Sequence, residues 1–212
     1  VDAEQAIQVL LRRGFLIDID PTTYVLGHSL YPAVLNGLIS QELKQQYHQY
    51  VLDQYSANPD TAPLIIAHHA LLSGDLQLAV RLLEKAGDET EKVFDDFGAL
   101  YALQKAHDLE RIAVLGGQPV VRFLRISLRL GNLYRFTHQY PRAHELLNEA
   151  LMFCDDLPEY ESSILSSLAR NLTAQESPDH HRAHTLMNRA LRIVRRVRDA
   201  DLLYQVYLDY SH

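Results

Sequence analysis

Arg142-Ala143-His144-Glu145-Leu146-Leu147-Asn148-Glu149-Ala150-Leu151 returns 40 residues later as Arg182-Ala183-His184-Thr185-Leu186-Met187-Asn188-Arg189-Ala190-Leu191. Seven of the ten positions are identical, and Leu147 to Met187 keeps an unbranched apolar side chain. An internal repeat of this period points to stacked helical hairpins, each too small to bury its own apolar face. Ala143 and Ala150 lie seven apart, on one helix face, where small side chains let a neighbouring helix approach closely. Leu146, Leu147 and Leu151 fill the space beside that contact. The pattern describes a scaffold and carries no chemistry of its own.

Composition supports the same reading. A chain of 212 residues with 47% hydrophobic content can bury a substantial core as one elongated domain or two small ones. Nine Gly, eight Pro and no Trp argue against a β-rich or low-complexity protein. No apolar run approaches the roughly 18 residues that span a bilayer, and no signal-peptide pattern opens the chain. The single Cys154 cannot form an internal disulfide, which fits a reducing cytoplasm. A formal charge of −7 disfavours nonspecific nucleic-acid binding by the chain as a whole. The sequence starts at Val1, within a helical pattern and without Met, and reads as a fragment of a longer protein.

The N-terminal segment breaks the helical monotony. Residues 2–13 carry apolar positions at Ala3, Ala6, Ile7, Leu10 and Leu11, a helix period ended by Gly14. Phe15-Leu16-Ile17-Asp18-Ile19 reads as a strand, Asp20-Pro21-Thr22-Thr23 as a turn, and Tyr24-Val25-Leu26-Gly27-His28 as a second strand. A helix followed by a β-hairpin is the tail of a winged-helix module. Such a module binds DNA or serves as a packing domain. Here Asp18 and Asp20 fall at the wing tip, where phosphate contacts need cations, and packing is the better reading.

From Ser29 onward the period is helical. Helices are predicted over 29–39 and 41–56, with Ser40 as N-cap, then 61–72, 76–86, 88–94 and 97–108. Residues 110–121, containing Gly116-Gly117-Gln118-Pro119, read as an irregular connection, with a hinge near 110–119. Helices over 120–137, 142–153, 160–174 and 182–198 follow, and a last one over 200–210 caps the stack.

This hairpin pattern resembles the tetratricopeptide repeat, which carries a small residue at its eighth position, an aromatic at its eleventh, and small residues at its twentieth and twenty-seventh. Gly131, Tyr134, Ala143 and Ala150 match those positions; Ala67, Ala79 and Ala86 match in an earlier copy, Ala183 and Ala190 in the last. Asn171 and Ala174 depart from it, and the 40-residue spacing exceeds the motif's. The resemblance implies an all-α right-handed superhelix of hairpins over residues 40–212, preceded at 1–39 by a winged-helix remnant and junction.

A second resemblance covers roughly residues 1 to 110. The helix and wing, then Gly27-His28-Ser29-Leu30-Tyr31-Pro32-Ala33-Val34-Leu35 and Leu43-Lys44-Gln45-Gln46-Tyr47-His48, look like a junction in bacterial signalling ATPases of the STAND type. There a nucleotide-binding domain precedes a winged helix and a helical array. The resemblance implies a nucleotide site upstream of Val1, because this chain has no Gly-x-x-x-x-Gly-Lys-Ser/Thr loop.

Residues for catalysis are scarce. His180, His181 and His184 invite a metal reading, but zinc needs three or four ligands and only Asp179 and Glu176 stand nearby. His184 also repeats His144, which marks a repeat position and not a ligand. His68-His69 adjoins the small residues Ala67 and Ala70, a packing context. Cys154 has no neighbouring cation to lower its pKa. Asp95-Asp96 and Asp155-Asp156 read as helix-end caps or solvated groups. No enzyme, metal or cofactor is expected.

Two basic stripes remain. Arg189, Arg192 and Arg196, flanked by Arg195 and Arg198, read as a solvated face paired with a neighbour's carboxylates. Arg122, Arg125 and Arg129 recur at helical spacing on a segment without Asp or Glu, with Asn132 following. In tetratricopeptide clamps for a peptide carboxylate, Lys or Arg stands at the second and sixth positions and Asn at the ninth. Arg125, Arg129 and Asn132 match these, whereas the next copy offers Leu165, Ala169 and Leu172. Forked guanidinium donors suit a carboxylate or phosphate. The alternative is permanent neutralisation by an adjacent helix, through Glu91 or Glu161. The expected function is a cytoplasmic, non-catalytic interaction or sensor module of a bacterial regulator, its partner a protein, a peptide, a small effector or the upstream nucleotide-binding domain. The rival classes are a DNA-binding fragment using the wing and a hydrolase or metal enzyme.

Overall fold

The structure, a computed structural model, describes residues 3–20, 23–58, 60–197 and 200–211. Val1, Asp2, Pro21, Thr22, Pro59, Arg198, Asp199 and His212 lie outside the described residues, and with them the middle of the turn expected at 20–23. Among the described residues the fold is mostly helical, with eleven α-helices and one two-stranded antiparallel sheet near the N-terminus.

Helix α1 (Ala3–Arg12) leads into β1 (Leu16–Asp20) and β2 (Thr23–Leu26). The strands pair Leu16 with Leu26, Ile17 with Val25 and Asp18 with Tyr24, and the register shifts before Asp20 meets Thr23. Helix α2 (Tyr31–Leu38) follows, with no buried residue. The apolar side chains of this segment, Phe15, Ile19, Leu30, Val34 and Leu38 among them, stay exposed.

The rest of the chain is a run of helices: α3 (Gln41–Ser56), α4 (Pro63–Ser73), α5 (Leu76–Lys92), α6 (Asp96–Leu115), α7 (Val121–Phe136), α8 (Tyr140–Leu151), α9 (Pro158–Thr173), α10 (His180–Val197) and α11 (Ala200–Ser211). Each packs against the next in chain order, and α7 also touches α9. Local chemistry sets their starts. Ser40, Asp75 and Asp95 cap α3, α5 and α6 by accepting from Leu43, Leu78 and Gly98 backbone N–H groups, satisfying donors that have no partner within the helix. Proline sits in the first turn of α4, α8 and α9, where its missing N–H costs nothing.

Small residues fix the packing distance. Ala143 and Ala150 of α8 and Ala190 of α10 are fully buried, and Ala183 nearly so. Around them Phe123, Leu124, Leu147, Ile164 and Leu168 fill the α7–α8–α9 core, and Leu165, Met187, Val194 and Val206 the α9–α10–α11 core. Gly131 lets α7 and α8 approach, since a Cβ there would lie 2.7 Å from Leu147 Cδ2. At the corresponding place on α9 stands Asn171, also fully buried; its side-chain amide donates to the Tyr140 carbonyl at 3.0 Å.

Two expected boundaries need correction. The segment 88–94 is not a separate helix: α5 continues through Gly87 to Lys92. Gly87 is there for close approach, with a hypothetical Cβ 3.2 Å from Leu103 of α6, and does not end the helix. Nor is 110–121 irregular throughout. Helix α6 persists to Leu115, its buried Ala106, His107 and Glu110 holding one face against the stack, and the break is confined to 116–120.

Candidate functional site

Helix α7 carries four arginines, Arg122, Arg125, Arg129 and Arg135, and no acidic residue; the first three are those expected in the groove. Its Phe123, Leu124, Ile126 and Leu130 are buried, and Arg122, Arg125 and Arg129 turn toward α5 and α6. Arg122 Nη1 donates to Gln77 at 2.8 Å and to Glu110 at 3.2 Å. Arg125 Nη2 donates to both carboxylate oxygens of Glu84, at 2.8 and 3.1 Å. Arg129 Nη2 reaches Asp88 at 2.7 Å and Glu91 at 3.0 Å. The three guanidiniums therefore climb a ladder of carboxylates, and each side chain is held in one direction.

Glu110 stands apart from the other acids, because only 5% of its side chain is exposed. A buried carboxylate without a cation would be costly, so Arg122 is its electrostatic complement. The Glu84 hydrogen bond pushes the Arg125 pKa above its ordinary value, which keeps that guanidinium charged at any working pH.

Arg122 and Arg125 form one wall of a cleft of about 800 Å³. It opens where the α4–α5 turn, the end of α6 and the 116–120 break meet. Leu76, Val80, Leu109 and Pro119 make it largely aliphatic, with Gln77 and Glu110 as further polar groups. That volume lies in the range of small-molecule and peptide-anchor pockets.

The four expected groove residues do not gather in this cleft. Arg129 sits one turn further along, between Asp88 and Glu91. Asn132 borders a separate cleft of about 330 Å³ beside α9, where its Oδ1 accepts from Arg170 at 3.3 Å and Ser167 at 3.5 Å. Of the two neutralising acids expected, Glu91 does pair with Arg129, but Glu161 instead pairs with Arg189 of the second basic stripe at 2.5 Å. Glu84 and Glu110 were not legible as partners, since only the stacking of α5, α6 and α7 puts them opposite the arginines.

The histidines behave as packing and surface groups. Among the described residues no group of three or more His, Cys, Asp or Glu could hold a metal ion. His184 hydrogen-bonds Asn188 on its own helix. His69 is joined by His48 of α3, with their Nδ1 atoms 2.9 Å apart, and Tyr55 stands edge-on to the His69 ring. Burial and the neighbouring imidazoles hold the pKa values of His48 and His69 below the usual histidine range. Cys154 is buried, donates to the Ala150 carbonyl, and has its thiol pKa pushed up to about 12 by burial. No helix among the described residues is long and apolar enough to cross a membrane.

No protein-family profile matches this chain, and no curated protein matches it.

Proposed function

We propose that this chain is a non-catalytic protein-interaction or sensor module, a right-handed superhelix of tetratricopeptide-like hairpins belonging to a larger bacterial signalling or transcription regulator of the STAND type. Its ligand is an acidic peptide or protein segment that docks in the cleft between α5, α6 and α7. The observation that carries this reading is the wall formed by Arg122 and Arg125: two guanidiniums, each with one amino group anchored on a carboxylate, bordering an aliphatic hollow. A guanidinium has five N–H donors, so anchoring leaves donors for a ligand. Anchoring also lowers the entropy lost on binding, because the side chains are already ordered. The aliphatic surface would take the apolar residue beside the ligand's carboxylate.

In such a regulator the ligand acts by preferring one arrangement of the hairpins and shifting the population toward it. Titration with acidic C-terminal peptides, followed by calorimetry, tests the site. Arg122→Ala/Arg125→Ala is expected to weaken binding by roughly tenfold or more, the scale of losing charge-assisted hydrogen bonds. Arg189→Ala, on the far basic stripe, should leave it unchanged. Equal affinity in the double variant and the parent would remove these arginines from the site. The sequence encoded upstream tests the ATPase assignment separately, and the absence of a Gly-x-x-x-x-Gly-Lys-Ser/Thr loop there would refute it.

A further inference from the structure

Helix α6 has apolar residues on two opposite faces. On one, Ala99, Leu103 and Ala106 are buried in the stack. On the other, Phe97, Tyr101, Lys105, Asp108, Ile112 and Leu115 recur at intervals of three and four, which lines them up along the helix. All six are exposed, Phe97 to 87%, Ile112 to 67% and Leu115 to 66%. Single exposed apolar residues are ordinary on a protein surface. Here they stand in register along about 27 Å of one helix, on a face that no other described element covers.

The chemistry of this stripe is symmetric about its middle. Both ends are apolar, and the centre carries one cation and one anion, Lys105 and Asp108. Lys105 makes no ion pair among the described residues. Asp108 lies 3.9 Å from His107 Nδ1, but burial depresses the pKa of that imidazole and disfavours its charged form. Arg111, one turn away, is engaged by Glu149. A second copy rotated by half a turn about an axis through the middle of the stripe lays its α6 antiparallel to the first. Tyr101 then stands opposite Ile112, Phe97 opposite Leu115 and Lys105 opposite Asp108, and each contact is made twice. A parallel pairing would set Lys105 on Lys105 and Asp108 on Asp108. A stripe shaped for a foreign helix would have no reason to be its own complement.

We propose that the outer face of α6 is a self-association surface, through which two copies of this chain pair antiparallel. The apolar ends supply the attraction, and the two central charges set direction and register. One pair of helices buries an area at the low end of specific interfaces, so the dimer is weak and reversible. Ile112 also borders the arginine cleft, so the two surfaces adjoin, but pairing requires no ligand there.

Sedimentation equilibrium of the protein without added peptide, over about 5 µM to 0.5 mM, tests this; at the upper limit even a dissociation constant of about 0.1 mM gives mostly dimer. The mean mass should climb from one chain toward two. Leu115→Glu places a charge in the apolar contact and should weaken dimerisation about tenfold or more. Should that variant lose helix by circular dichroism, Phe97→Ser at the other end takes its place. Lys105→Glu alone and Asp108→Lys alone each set like charges opposite one another twice, and each should weaken pairing about tenfold. An equimolar mixture of the two should recover it, because every central contact in the mixed pair again joins opposite charges. The doubly swapped Lys105→Glu/Asp108→Lys protein should pair as the parent does. A single-chain mass at every concentration overturns the proposal. So does association that Leu115→Glu leaves unchanged, or a mixture that pairs no more tightly than Lys105→Glu alone.

Discussion

Gly131 of α7 and Leu147 of α8 are in direct backbone-to-side-chain contact: a Cβ on Gly131 would lie 2.7 Å from Leu147 Cδ2 and 2.8 Å from its Cγ. Leu147 is buried in the core with Phe123, Ile164 and Leu168, so it has nowhere to move. Gly131→Ala is therefore expected to destabilise by about 1–3 kcal/mol through overpacking, although alanine in a helix is intrinsically better than glycine by about 1 kcal/mol. Gly87→Ala is the control. Its Cβ would meet Leu103 at 3.2 Å, a gap that small shifts can open, and the two effects should nearly cancel. Urea midpoints for the two variants should differ clearly; equal midpoints would mean that α7 and α8 are further apart than described.

The arginines of α7 should not be equivalent in stability. Arg125 pairs with Glu84 while half exposed, and Arg125→Ala should cost less than about 1 kcal/mol. Arg122→Ala removes the cation beside Glu110, whose side chain is 5% exposed, and should cost about 3 kcal/mol because a buried carboxylate is left unbalanced. Adding Glu110→Gln should recover part of that loss. A double-mutant cycle with no recovery would show that Glu110 does not depend on Arg122.

Acidification should weaken the fold well before carboxylates protonate. The folded-state pKa values of His48, His69, His107 and His144 all lie below the ordinary histidine value, with burial the first cause in each. The unfolded chain therefore binds protons first. Stability is complete above about pH 7 and falls as pH drops through the histidine range. Replacing His69 with Gln removes one such proton site and breaks the His48 contact, and should flatten the stability profile between about pH 7 and pH 5.5. A profile as steep as the parent's would place the titration elsewhere.

Cys154 gives a simple probe of opening. With its thiol pKa near 12 and its sulfur buried, it should not react with a disulfide reagent at about pH 8 in the native protein. The reaction should appear together with the unfolding transition in urea. Rapid labelling without denaturant would mean that the α8–α9 connection opens on its own.

The duplicated Ala and Leu positions made the packing legible, because small residues seven apart specify a close helix contact whatever surrounds them. The same rule could not separate Gly87 from a helix stop. A glycine reads as a breaker until the leucine facing it is known. The 110–121 segment misled for a related reason: its glycines and proline lie at 116–119, but burial of His107 and Glu110 carries α6 to within a residue of them. For the arginine wall, the spacing on α7 was readable and the partners were not. Glu84 and Glu110 lie 41 and 12 residues away from their arginines, and only the order of helix stacking brings them together. His107 carried no sequence signal, since an isolated histidine on an apolar helix face looks like any other core residue.

From α3 to α11 each helix leans chiefly on those next to it in the chain. Resistance to mechanical load should therefore be distributed. Pulled from its two ends, such an array gives way at the outermost helix first and peels inward, each hairpin yielding as its last neighbour leaves. Contacts between near neighbours also close over short loops at small entropic cost, so a hairpin that has been pulled away can dock again quickly. A chain organised this way behaves as a compliant spring, and tension applied at one end reaches the other chiefly by passing from helix to neighbouring helix.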